Sequence, residues 1–459
     1  MNEIQPNARD IAVWALRDQR GNVTAHLNRV LAKLHPTLAE ASLARELTLG
    51  VVRRRATLDT VLRTFLKQPD KCLPGPLREI LYVGLYQLLF LQRVPGFAAV
   101  NEAVRQAVQF RHKRQSGFVN GVLRAVARSV SELVSAAPTP AANVIPIAPA
   151  EHRTLDRAVF PDPSADAAGF LAAAYSLPAI LGRRWIERFG SLEKAVSPAM
   201  HANVRAPVVL RVNKLKADVE QVLASLSADG AEAQPHSNGC SVVLDAHTDV
   251  TKLAAFREGW VQPQDPTATA VVHAADPAAG MDVLDFCAAP GTKTTHLAEQ
   301  MRNRGSITAV DVSHEKLRRI EDNCRRMDDS IVKTHLAEQA GSLKPQSFDL
   351  VMVDAPCSNT GVLSRRPEAR WRFSEEHLAT LVKDQQLLLQ AAAAFVKPGR
   401  RLVYSTCSIE PEECADVTAW LQKHTDRASL VHEQLTLPAG ADNPLAWCDG
   451  GYTAVFEMK

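Results

Sequence analysis

The feature that most constrains the fold is an alternation of apolar strand segments and helical segments that begins near Met281. Short runs of consecutive apolar residues, each followed by an amphipathic stretch, are typical of buried parallel strands joined by helices. The predicted strands are DVLDF, SITAVDV, SIVKTHL, FDLVMVDA and RRLVYSTCS, followed by LVHEQLTL and YTAVFEMK. We therefore predict an α/β domain over residues 271–459 with a mainly parallel, doubly wound sheet. Its ligands should bind beyond the carboxyl ends of the strands.

Three further segments precede this domain, so a chain of 459 residues is expected to be multi-domain. Apolar residues recur at spacings of three and four over residues 5–130, which predicts an all-helical bundle that starts with DIAVWALRDQ. Residues 131–165 contain six prolines and are predicted to be a semi-extended linker. Residues 166–270 mix helical and strand-like stretches and predict a small α+β module.

Charge is unevenly distributed along the chain. Residues 1–130 carry 20 Lys and Arg against nine Asp and Glu, whereas acidic residues exceed basic ones in the remainder. A basic helical segment predicts a polyanionic partner such as nucleic acid, although a solvated basic helix face gives the same pattern. No apolar run reaches the roughly 18 residues that a membrane span needs, and the N-terminus lacks a signal-peptide pattern. We expect a cytoplasmic monomer without a membrane partner.

The eight cysteines form no C-x-x-C pair and lie near no suitably spaced histidine pair. Neither a structural zinc site nor a disulfide framework is expected, and no metal is predicted. For most of the eight, a small buried hydrophobic role is the simplest interpretation.

The first strand of the α/β domain ends in a small-residue loop, DFCAAPGTKT, that opens a helix. Such a loop lets the backbone approach a ligand closely. Asp311 ends the second strand, 20 residues after Gly291, where an acid is placed to bind ribose hydroxyls. The loop matches neither a phosphate-binding G-x-x-x-x-G-K-[ST] motif nor G-x-G-x-x-G, so an adenosine ligand without phosphates, S-adenosylmethionine, fits better. An ordinary tight turn remains the alternative.

Two later strand ends each carry a thiol: VDAPCSNTG places Asp354 and Cys357 after the fourth strand, and LVYSTCS places Cys407 after the fifth. If these strands are neighbours, both thiols face one substrate. Methylation of cytosine at C5 needs this set, because a thiolate that adds to C6 makes C5 nucleophilic and a second thiol can assist release. A helix after Cys407, at PEECADVTAWL, is expected to lower the pKa of that thiol.

DFCAAPGTKT, VDAPCSNTG and YSTCS, in this order and spacing, resemble the RNA cytosine-5 methyltransferases. RVPGFAAVNEAV and GFVNGVLRAVAR resemble the NusB-like domain of the RsmB (Sun/Fmu) branch, which acts on a cytosine of 16S ribosomal RNA, and EGWVQPQD and RVNKLK resemble that branch's middle region. The resemblance implies a NusB-like bundle, a class I (Rossmann-like) methyltransferase fold, RNA as the substrate and S-adenosylmethionine as the cofactor.

The resemblance also implies residue roles. Cys407 is the expected nucleophile, Cys357 the thiol that assists product release, and Asp354 a residue near both methyl donor and cytosine; from the residues alone the order of the two thiols stays open. Asp311 is expected on the ribose and Glu338 near the adenine. The cofactor loop is expected to comprise Cys287, Ala288, Ala289, Pro290, Gly291, Thr292 and Lys293.

Three positions depart from the family pattern. The family usually has an acidic residue after the third strand, near the adenine; here the local sequence is HLAEQAG, and Glu338 is the nearest candidate, shifted by one position. Thr292 replaces a glycine, which requires a negative φ at that residue. Asn359 stands where glycine or alanine is common, and a turn accepts asparagine there.

A basic stretch, RRPEARWR, follows the Cys357 loop. Its arginines could hold RNA phosphates while Trp371 stacks or packs, and a solvated helix start with a buried tryptophan is the alternative. The RNA-contact candidates are Arg365, Arg366, Arg370 and Arg372.

Two other functions stay open from sequence. One is an RNA-binding, antitermination-like factor whose methyltransferase domain is vestigial, motivated by the basic helical segment. The other is the same chemistry on transfer RNA or DNA. An intact set of two thiols and an acid argues against the first.

Overall fold

The computed structural model describes residues 6–17, 23–70, 72–110, 112–245 and 248–459. By contacts, the chain divides into two compact units. The first comprises Met1–Val204 and Arg366–Arg372, and the second comprises Arg205–Arg365 and Phe373–Lys459. The predicted start of the helical bundle at Gln5 and the predicted helical residues Asp18 and Gln19 lie outside the described residues.

The first unit begins with a helical bundle, as the apolar periodicity predicts. The central helix is α4, in which 12 of 16 residues are buried, and it packs against α1, α3, α5 and α6. A helix that is apolar on nearly all sides belongs in the middle of such a bundle. The helices are α1 (Ala8–Arg17), α2 (Val23–Leu34), α3 (Leu38–Thr64), α4 (Gly75–Phe90), α5 (Gly96–Gln109) and α6 (Ser116–Ser129).

The segment predicted to be a semi-extended linker, residues 131–165, contains an antiparallel hairpin. Its strands are β1 (Val144–Ala148) and β2 (Glu151–Thr154). Pro146 is tolerated in β1 because both strands of a two-stranded sheet are edges, where a missing N–H leaves no ladder bond unmade on the open side. The Arg54 guanidinium donates to the carbonyls of Pro146 and Ile147, at 2.9 and 2.8 Å, so these contacts hold the segment to α3.

The residues predicted as one α+β module, 166–270, are divided between the two units. The helices α7 (Ala167–Ala174), α8 (Ala179–Phe189) and α9 (Leu192–His201) belong to the first unit. The predicted stop of α8 at Gly190 is present, with φ 76° at that glycine. The remainder of the segment is a small α+β layer of the second unit, because its strands form their own sheet over their own apolar core.

That small sheet has four antiparallel strands in the order β4-β5-β3-β6. Asp218 caps α10 in a capping box with Gln221, and Gly230 follows the helix with φ 74°. The elements are β3 (Val208–Val212), α10 (Val219–Ala228), β4 (Ala233–Pro235), β5 (Ser241–Leu244), α11 (Ala254–Arg257) and β6 (Val261–Pro263).

A seven-stranded sheet dominates the second unit, with the order β12-β13-β11-β10-β7-β8-β9. Five strands are parallel, and β13 runs antiparallel to β11 and β12. The strands are β7 (Asp282–Phe286), β8 (Ser306–Asp311), β9 (Val332–Leu336), β10 (Phe348–Asp354), β11 (Val396–Thr406), β12 (Ala428–Thr436) and β13 (Gly451–Met458). The helices are α12 (Pro266–Ala275), α13 (Thr292–Gln300), α14 (His314–Met327), α15 (Glu375–Ala393) and α16 (Ala415–His424).

This architecture confirms the predicted fold class and locates the ligand crevice. From β7 the chain adds β8 and β9 on one side, then returns to place β10 on the other side. Ligands of open α/β sheets bind at such a topological switch point, outside the carboxyl ends of the strands. Here the crevice lies between the ends of β7 and β10. Among the described residues, none of the helices has the length and apolar character needed to cross a bilayer.

Candidate active site

The ends of four parallel strands bring the predicted site residues to the same edge of the sheet. Cys287 follows β7, Asp311 ends β8, Asp354 ends β10 and Cys407 follows β11. Because β11, β10, β7 and β8 are consecutive neighbours in the sheet, all four side chains come from one row of strand ends.

The loop after β7 has the backbone that its small residues predict. Cys287 has φ 59° and Gly291 has φ 94°. A Cβ atom on Gly291 would lie 3.1 Å from the Ile320 Cα, so the position requires glycine for space as well as for its φ. Thr292 is the first residue of α13 and has a helical φ, so the threonine satisfies the condition that a β-branched residue imposes.

Asp311 shapes this loop. Its Oδ2 accepts from the Ala289 amide at 3.0 Å, and its Oδ1 accepts from the Val312 amide at 2.7 Å and from Lys316 Nζ at 3.0 Å. These bonds use three of the roughly four acceptor positions of a carboxylate. Asp311 is therefore held at the loop with acceptor capacity left for a ligand hydroxyl.

A lysine from the loop meets the acid of the neighbouring strand. Lys293 Nζ donates to Asp354 Oδ2 at 2.6 Å, and Ser405 Oγ donates to Asp354 Oδ1 at 2.8 Å. Burial lowers the pKa of Lys293, but the attraction of Asp354, reinforced by Cys407, outweighs it and leaves that pKa raised. The ammonium group is thus a fixed positive charge close to both Asp354 and the Cys407 sulfur.

The two thiols converge. Cys357 Sγ lies 3.2 Å from Cys407 Sγ, across strands β10 and β11, which pair with Asp354 opposite Ser405. Cys407 is partly exposed, whereas Cys357 is buried. Its hydrogen bond with Cys407, and then burial, raise the pKa of Cys357 well above the usual range. Cys357 therefore keeps its proton firmly.

Hydroxyl groups join the two thiol-bearing loops beneath the sulfurs. Ser408 Oγ lies 3.2 Å from Ser358 Oγ and 3.1 Å from Thr360 Oγ1. The Gly361 amide donates to the Cys407 carbonyl at 3.0 Å. The residues that flank each cysteine therefore fix the relative position of the two loops.

The helix expected after Cys407 at PEECADVTAWL is present in part, but it does not begin close to Cys407 along the chain. Helix α16 begins at Ala415, and its N-cap is Cys414, seven residues beyond Cys407. The intervening residues include Pro411, which starts a short 3-10 turn instead of a continuous helix. A helix dipole acts within about the first turn, so the charge of Lys293 is the nearer electrostatic influence on the Cys407 sulfur.

Two of the four arginines predicted to bind RNA, Arg370 and Arg365, bind backbone carbonyls and carboxylates of the protein. Arg370 is fully buried in the first unit, so it cannot contact RNA in this conformation. Burial, and then repulsion from Arg53 and Arg54, lowers the pKa of Arg370 well below the usual range. Its guanidinium donates to the backbone carbonyls of Arg53, Ser176, Ala202 and Pro367.

Arg365 belongs to the second unit and pairs with two acids. It donates to Asp449 Oδ2 at 2.5 Å and to Asp265 Oδ2 at 3.2 Å. Burial and the neighbouring Asp449 raise the pKa of Asp265 to about 7. The guanidinium therefore compensates a carboxylate pair. Arg366 and Arg372 are exposed, and their contact with RNA stays a prediction.

Trp371 and Glu338 occupy different surroundings. The Trp371 indole N–H donates to the Val52 carbonyl at 2.8 Å, and Arg55 lies over its ring at 5.5 Å, both within the first unit. The tryptophan thus packs against α3. Glu338 is exposed in a short 3-10 segment directly after β9, at the carboxyl edge of the sheet, where its predicted role near an adenine stays a prediction.

Comparison with known proteins gives three family matches and many full-length relatives. The family described as 16S rRNA methyltransferase RsmB/F matches residues 272–444, the NusB family matches residues 6–128, and an RsmF/B-like ferredoxin-like domain matches residues 177–251. The probable ribosomal RNA small subunit methyltransferase B of Bacillus subtilis is 31% identical, over 92% of this chain and 89% of its own length. The ribosomal RNA small subunit methyltransferase B of Serratia proteamaculans is 32% identical, over 92% of this chain and 90% of its own length.

The chain belongs to the ribosomal RNA small subunit methyltransferase B family. This membership confirms the resemblance inferred from the motifs and makes the protein a methyltransferase. Among solved structures, PH0851 is 25% identical with a TM-score of 0.75 and covers 99% of both chains. NSun6 from Pyrococcus horikoshii, solved with SFG, is 18% identical with a TM-score of 0.53, over 60% of this chain and 97% of its own, and shows the fold alone.

Two residues of this methyltransferase site were not identified from the sequence. Asp285, in β7, is fully buried and its Oδ2 accepts from Thr294 Oγ1 at 2.6 Å. Burial, with a further contribution from Asp354, raises the pKa of Asp285 to about 7. Its position two residues before Cys287, in a strand otherwise apolar from Val283 on, is a signal that an acid there is buried.

The second is Glu413, also fully buried. It accepts from the Ser358 amide at 2.8 Å, from Gln385 Nε2 at 3.0 Å and from the Ser358 hydroxyl. A carboxylate from the segment after Cys407 thus anchors the loop after Cys357. The sequence gives little indication that Glu413 is buried, because PEE is typical of an ordinary, acid-rich helix start.

The crevice suits the cofactor expected of a methyltransferase. Asp311 lies at the end of β8 with acceptor capacity left for a ligand hydroxyl, as a ribose presents. Gly291, the N-cap of α13, makes no side-chain cap bond, so the first amides of the helix are directed at the loop. Burial and then Asp311 raise the pKa of Cys287 to about 12, so this thiol keeps its proton at neutral pH.

Proposed function

We propose that the protein transfers a methyl group from S-adenosylmethionine to C5 of a cytosine in 16S ribosomal RNA, through a covalent bond between Cys407 and C6. The observation that carries this proposal is the 3.2 Å separation of the Cys357 and Cys407 sulfurs beside the Lys293–Asp354 ion pair. Family membership and the names of the relatives from Bacillus subtilis and Serratia proteamaculans support the ribosomal substrate.

C5 of cytosine is a weak nucleophile, and the chain's own residues are suited to activate it. The Cys407 thiolate adds to C6, which breaks the ring's aromaticity and leaves negative charge on the ring. Lys293 provides a fixed positive charge beside this site, and Asp354 can accept a hydrogen bond from the exocyclic amine. Bound S-adenosylmethionine would supply the electrophilic methyl group, held by residues 287–293, Asp311 and Glu338.

Product release requires that the C5 proton leave to a base or water and that the C6–sulfur bond break. Cys407 then departs as a thiolate. Cys357 retains its proton because of its raised pKa and lies within hydrogen-bond distance of that sulfur. It can therefore donate to the departing thiolate and lower the energy of elimination. This division of labour agrees with the greater exposure of Cys407 and the burial of Cys357.

The target base must leave its stack before C6 can meet the Cys407 sulfur. Single-stranded or looped RNA lowers that cost. The basic helical segment at residues 1–130 and the exposed Arg366 and Arg372 supply charge suited to the RNA backbone.

The proposal is tested with labelled S-adenosylmethionine and 16S ribosomal RNA, with transfer RNA as a competing substrate. Cys407→Ala should abolish methyl transfer, and Cys357→Ala should accumulate a protein–RNA adduct that survives denaturing electrophoresis. Cys72→Ala, which removes an exposed cysteine of the first unit, is the matched control and should keep its activity. Full activity in Cys407→Ala would contradict the mechanism, and methylation of transfer RNA alone would contradict the substrate.

Binding of S-adenosylmethionine distinguishes the proposed enzyme from an RNA-binding factor whose methyltransferase domain is vestigial. Calorimetry with S-adenosylmethionine should give a saturable heat that Gly291→Ala weakens. An absence of binding by the wild-type protein would favour a purely RNA-binding role.

A further inference from the structure

Asn359 joins the two thiol-bearing residues through its side chain. It lies two residues after Cys357 with φ 63°, a conformation that asparagine tolerates better than most residues. Its Nδ2 donates to the Cys357 carbonyl at 2.7 Å, and its Oδ1 accepts from the Cys407 thiol at 3.4 Å. With the contact of 3.2 Å between the sulfurs, these bonds form a closed ring that runs through Cys357, Cys407 and Asn359.

The ring fixes which end of the amide faces the nucleophile. In the opposite orientation, the amide oxygen would lie about where Nδ2 now is, 2.7 Å from the Cys357 carbonyl oxygen, and two acceptors would repel. The backbone carbonyl therefore holds the amide with its oxygen toward sulfur. A hydrogen-bond acceptor favours the thiol over the thiolate, since only the thiol has a proton to donate.

We propose that Asn359 is a positioning residue that holds the Cys407 sulfhydryl against Cys357 and keeps the nucleophile protonated until substrate enters the crevice. The proposal rests on the proposed function in naming Cys407 the nucleophile. Neither glycine nor alanine at this position could supply the acceptor.

Two opposing influences then act on the Cys407 sulfur. The ammonium of Lys293 attracts a thiolate, whereas the Asn359 oxygen retains the thiol. The Asp354 carboxylate, paired with Lys293 at 2.6 Å, offsets part of the ammonium charge and so also favours the thiol. Entry of a base between the sulfurs and Asn359 would break the ring and remove the acceptor. The partly exposed Cys407 thiol would then release its proton to solvent, and the ammonium of Lys293 would stabilise the resulting thiolate. The nucleophile is thereby formed where the substrate is, and a protonated resting thiol is less open to alkylation and oxidation.

The test is the pH dependence of Cys407 alkylation by iodoacetamide in the folded full-length protein, followed by mass spectrometry of the peptide that carries Cys407. Only the thiolate reacts. Asn359→Gly accepts the positive φ and removes the acceptor, so the midpoint should fall by about 0.5–1 pH unit, a three- to tenfold faster reaction below the midpoint. Asn359→Asp, of nearly the same shape, adds negative charge and should raise the midpoint by about one unit or more.

Asn303→Gly is the matched control, because Asn303 also has a positive φ, 51°, and its Nδ2 also donates to a backbone carbonyl, that of Asp328 at 2.9 Å. It should leave the alkylation midpoint of Cys407 unchanged. Opposite shifts in the glycine and aspartate variants support the proposal; no shift, or shifts in the same direction, would overturn it. The assay needs neither RNA nor a methyl donor, so its failure is distinguishable from failure of the proposed function. In methyl transfer, the acid limb of kcat/KM should move in the same direction as the alkylation midpoint.

Discussion

Replacing Asp285 by asparagine should change the pH dependence of stability. The carboxyl group is fully buried in β7, with Thr294 as its hydrogen-bond donor, and its pKa is raised to about 7. In the unfolded chain the pKa of an aspartate is about 3.9. Between these two values the folded protein holds a proton that the unfolded chain has released. The contribution of Asp285 to stability is therefore fully present at pH below about 4 and is lost as pH rises toward about 7.

The size of the effect follows from the shift. Three pH units at 1.36 kcal/mol per unit give about 4 kcal/mol in total, and about 2–3 kcal/mol of this lies between pH 5 and pH 8. Asparagine mimics the protonated carboxyl and cannot ionise. The free energy of unfolding of Asp285→Asn, compared with that of the wild-type protein, should therefore increase by about 2–3 kcal/mol from pH 5 to pH 8.

The assay is urea unfolding at pH 5, 6, 7 and 8, read by pulsed hydrogen exchange and mass spectrometry on peptides that cover β7. This readout scores the unit that contains Asp285 separately from the other unit. Thr294→Val is a second variant: it keeps the carboxyl but removes the donor that lowers the pKa of Asp285, so the pH dependence should persist with its midpoint at higher pH. A difference between wild type and Asp285→Asn that is constant across this pH range would refute the reasoning.

Three further outcomes are expected. Gly291→Ala, which combines a positive φ with a Cβ 3.1 Å from the Ile320 Cα, should weaken S-adenosylmethionine binding at least tenfold in calorimetry, and unchanged affinity would contradict the proposed loop. Glu413→Ala leaves the Ser358 amide and Gln385 without their buried acceptor, so it should lower the unfolding free energy of the second unit by roughly 2–3 kcal/mol and slow methyl transfer, with Glu413→Gln less severe. Arg370→Met should lower the unfolding free energy of the first unit by about 3 kcal/mol in the same exchange assay, because the buried carbonyls lose their donor. It should leave the dependence of RNA affinity on salt concentration unchanged. A weaker dependence of RNA affinity on salt would show that Arg370 contacts a phosphate.

The fold and much of the site were open to prediction because they depend on local patterns. Strand ends of a parallel sheet share one edge, so Cys287, Asp311, Asp354 and Cys407 could be assigned to one crevice from the strand pattern alone. Glycine at position 291 likewise follows from the need for a positive φ at the start of α13. These features can be predicted without knowing which residues distant in the sequence are in contact.

What could not be predicted depends on partners far apart in the sequence. The position of Arg370 in RRPEARWR, among basic neighbours, suggests an RNA contact. Its guanidinium instead donates to carbonyls that lie 168, 194 and 317 residues away in the sequence. The hairpin of β1 and β2 could not be predicted either, because it also depends on a partner that is distant in the sequence. Its prolines indicate a linker locally, whereas the donors that hold its carbonyls come from Arg54.

The convergence of the sulfurs depends on strand register more than on the apolar core. A slip of β11 by one residue against β10 would move Cys407 by about 3.3 Å and turn its side chain to the other face of the sheet. The pairing of Asp354 with Ser405, the hydroxyl contacts of Ser408 and the buried Glu413 all oppose such a slip. Each is polar and lies at the strand ends, where apolar packing is thinnest. Substitutions of Ser405 and Ser408 should therefore affect methyl transfer more than stability, because a displacement of one or two ångströms leaves the sheet intact but separates the thiols from a shared substrate.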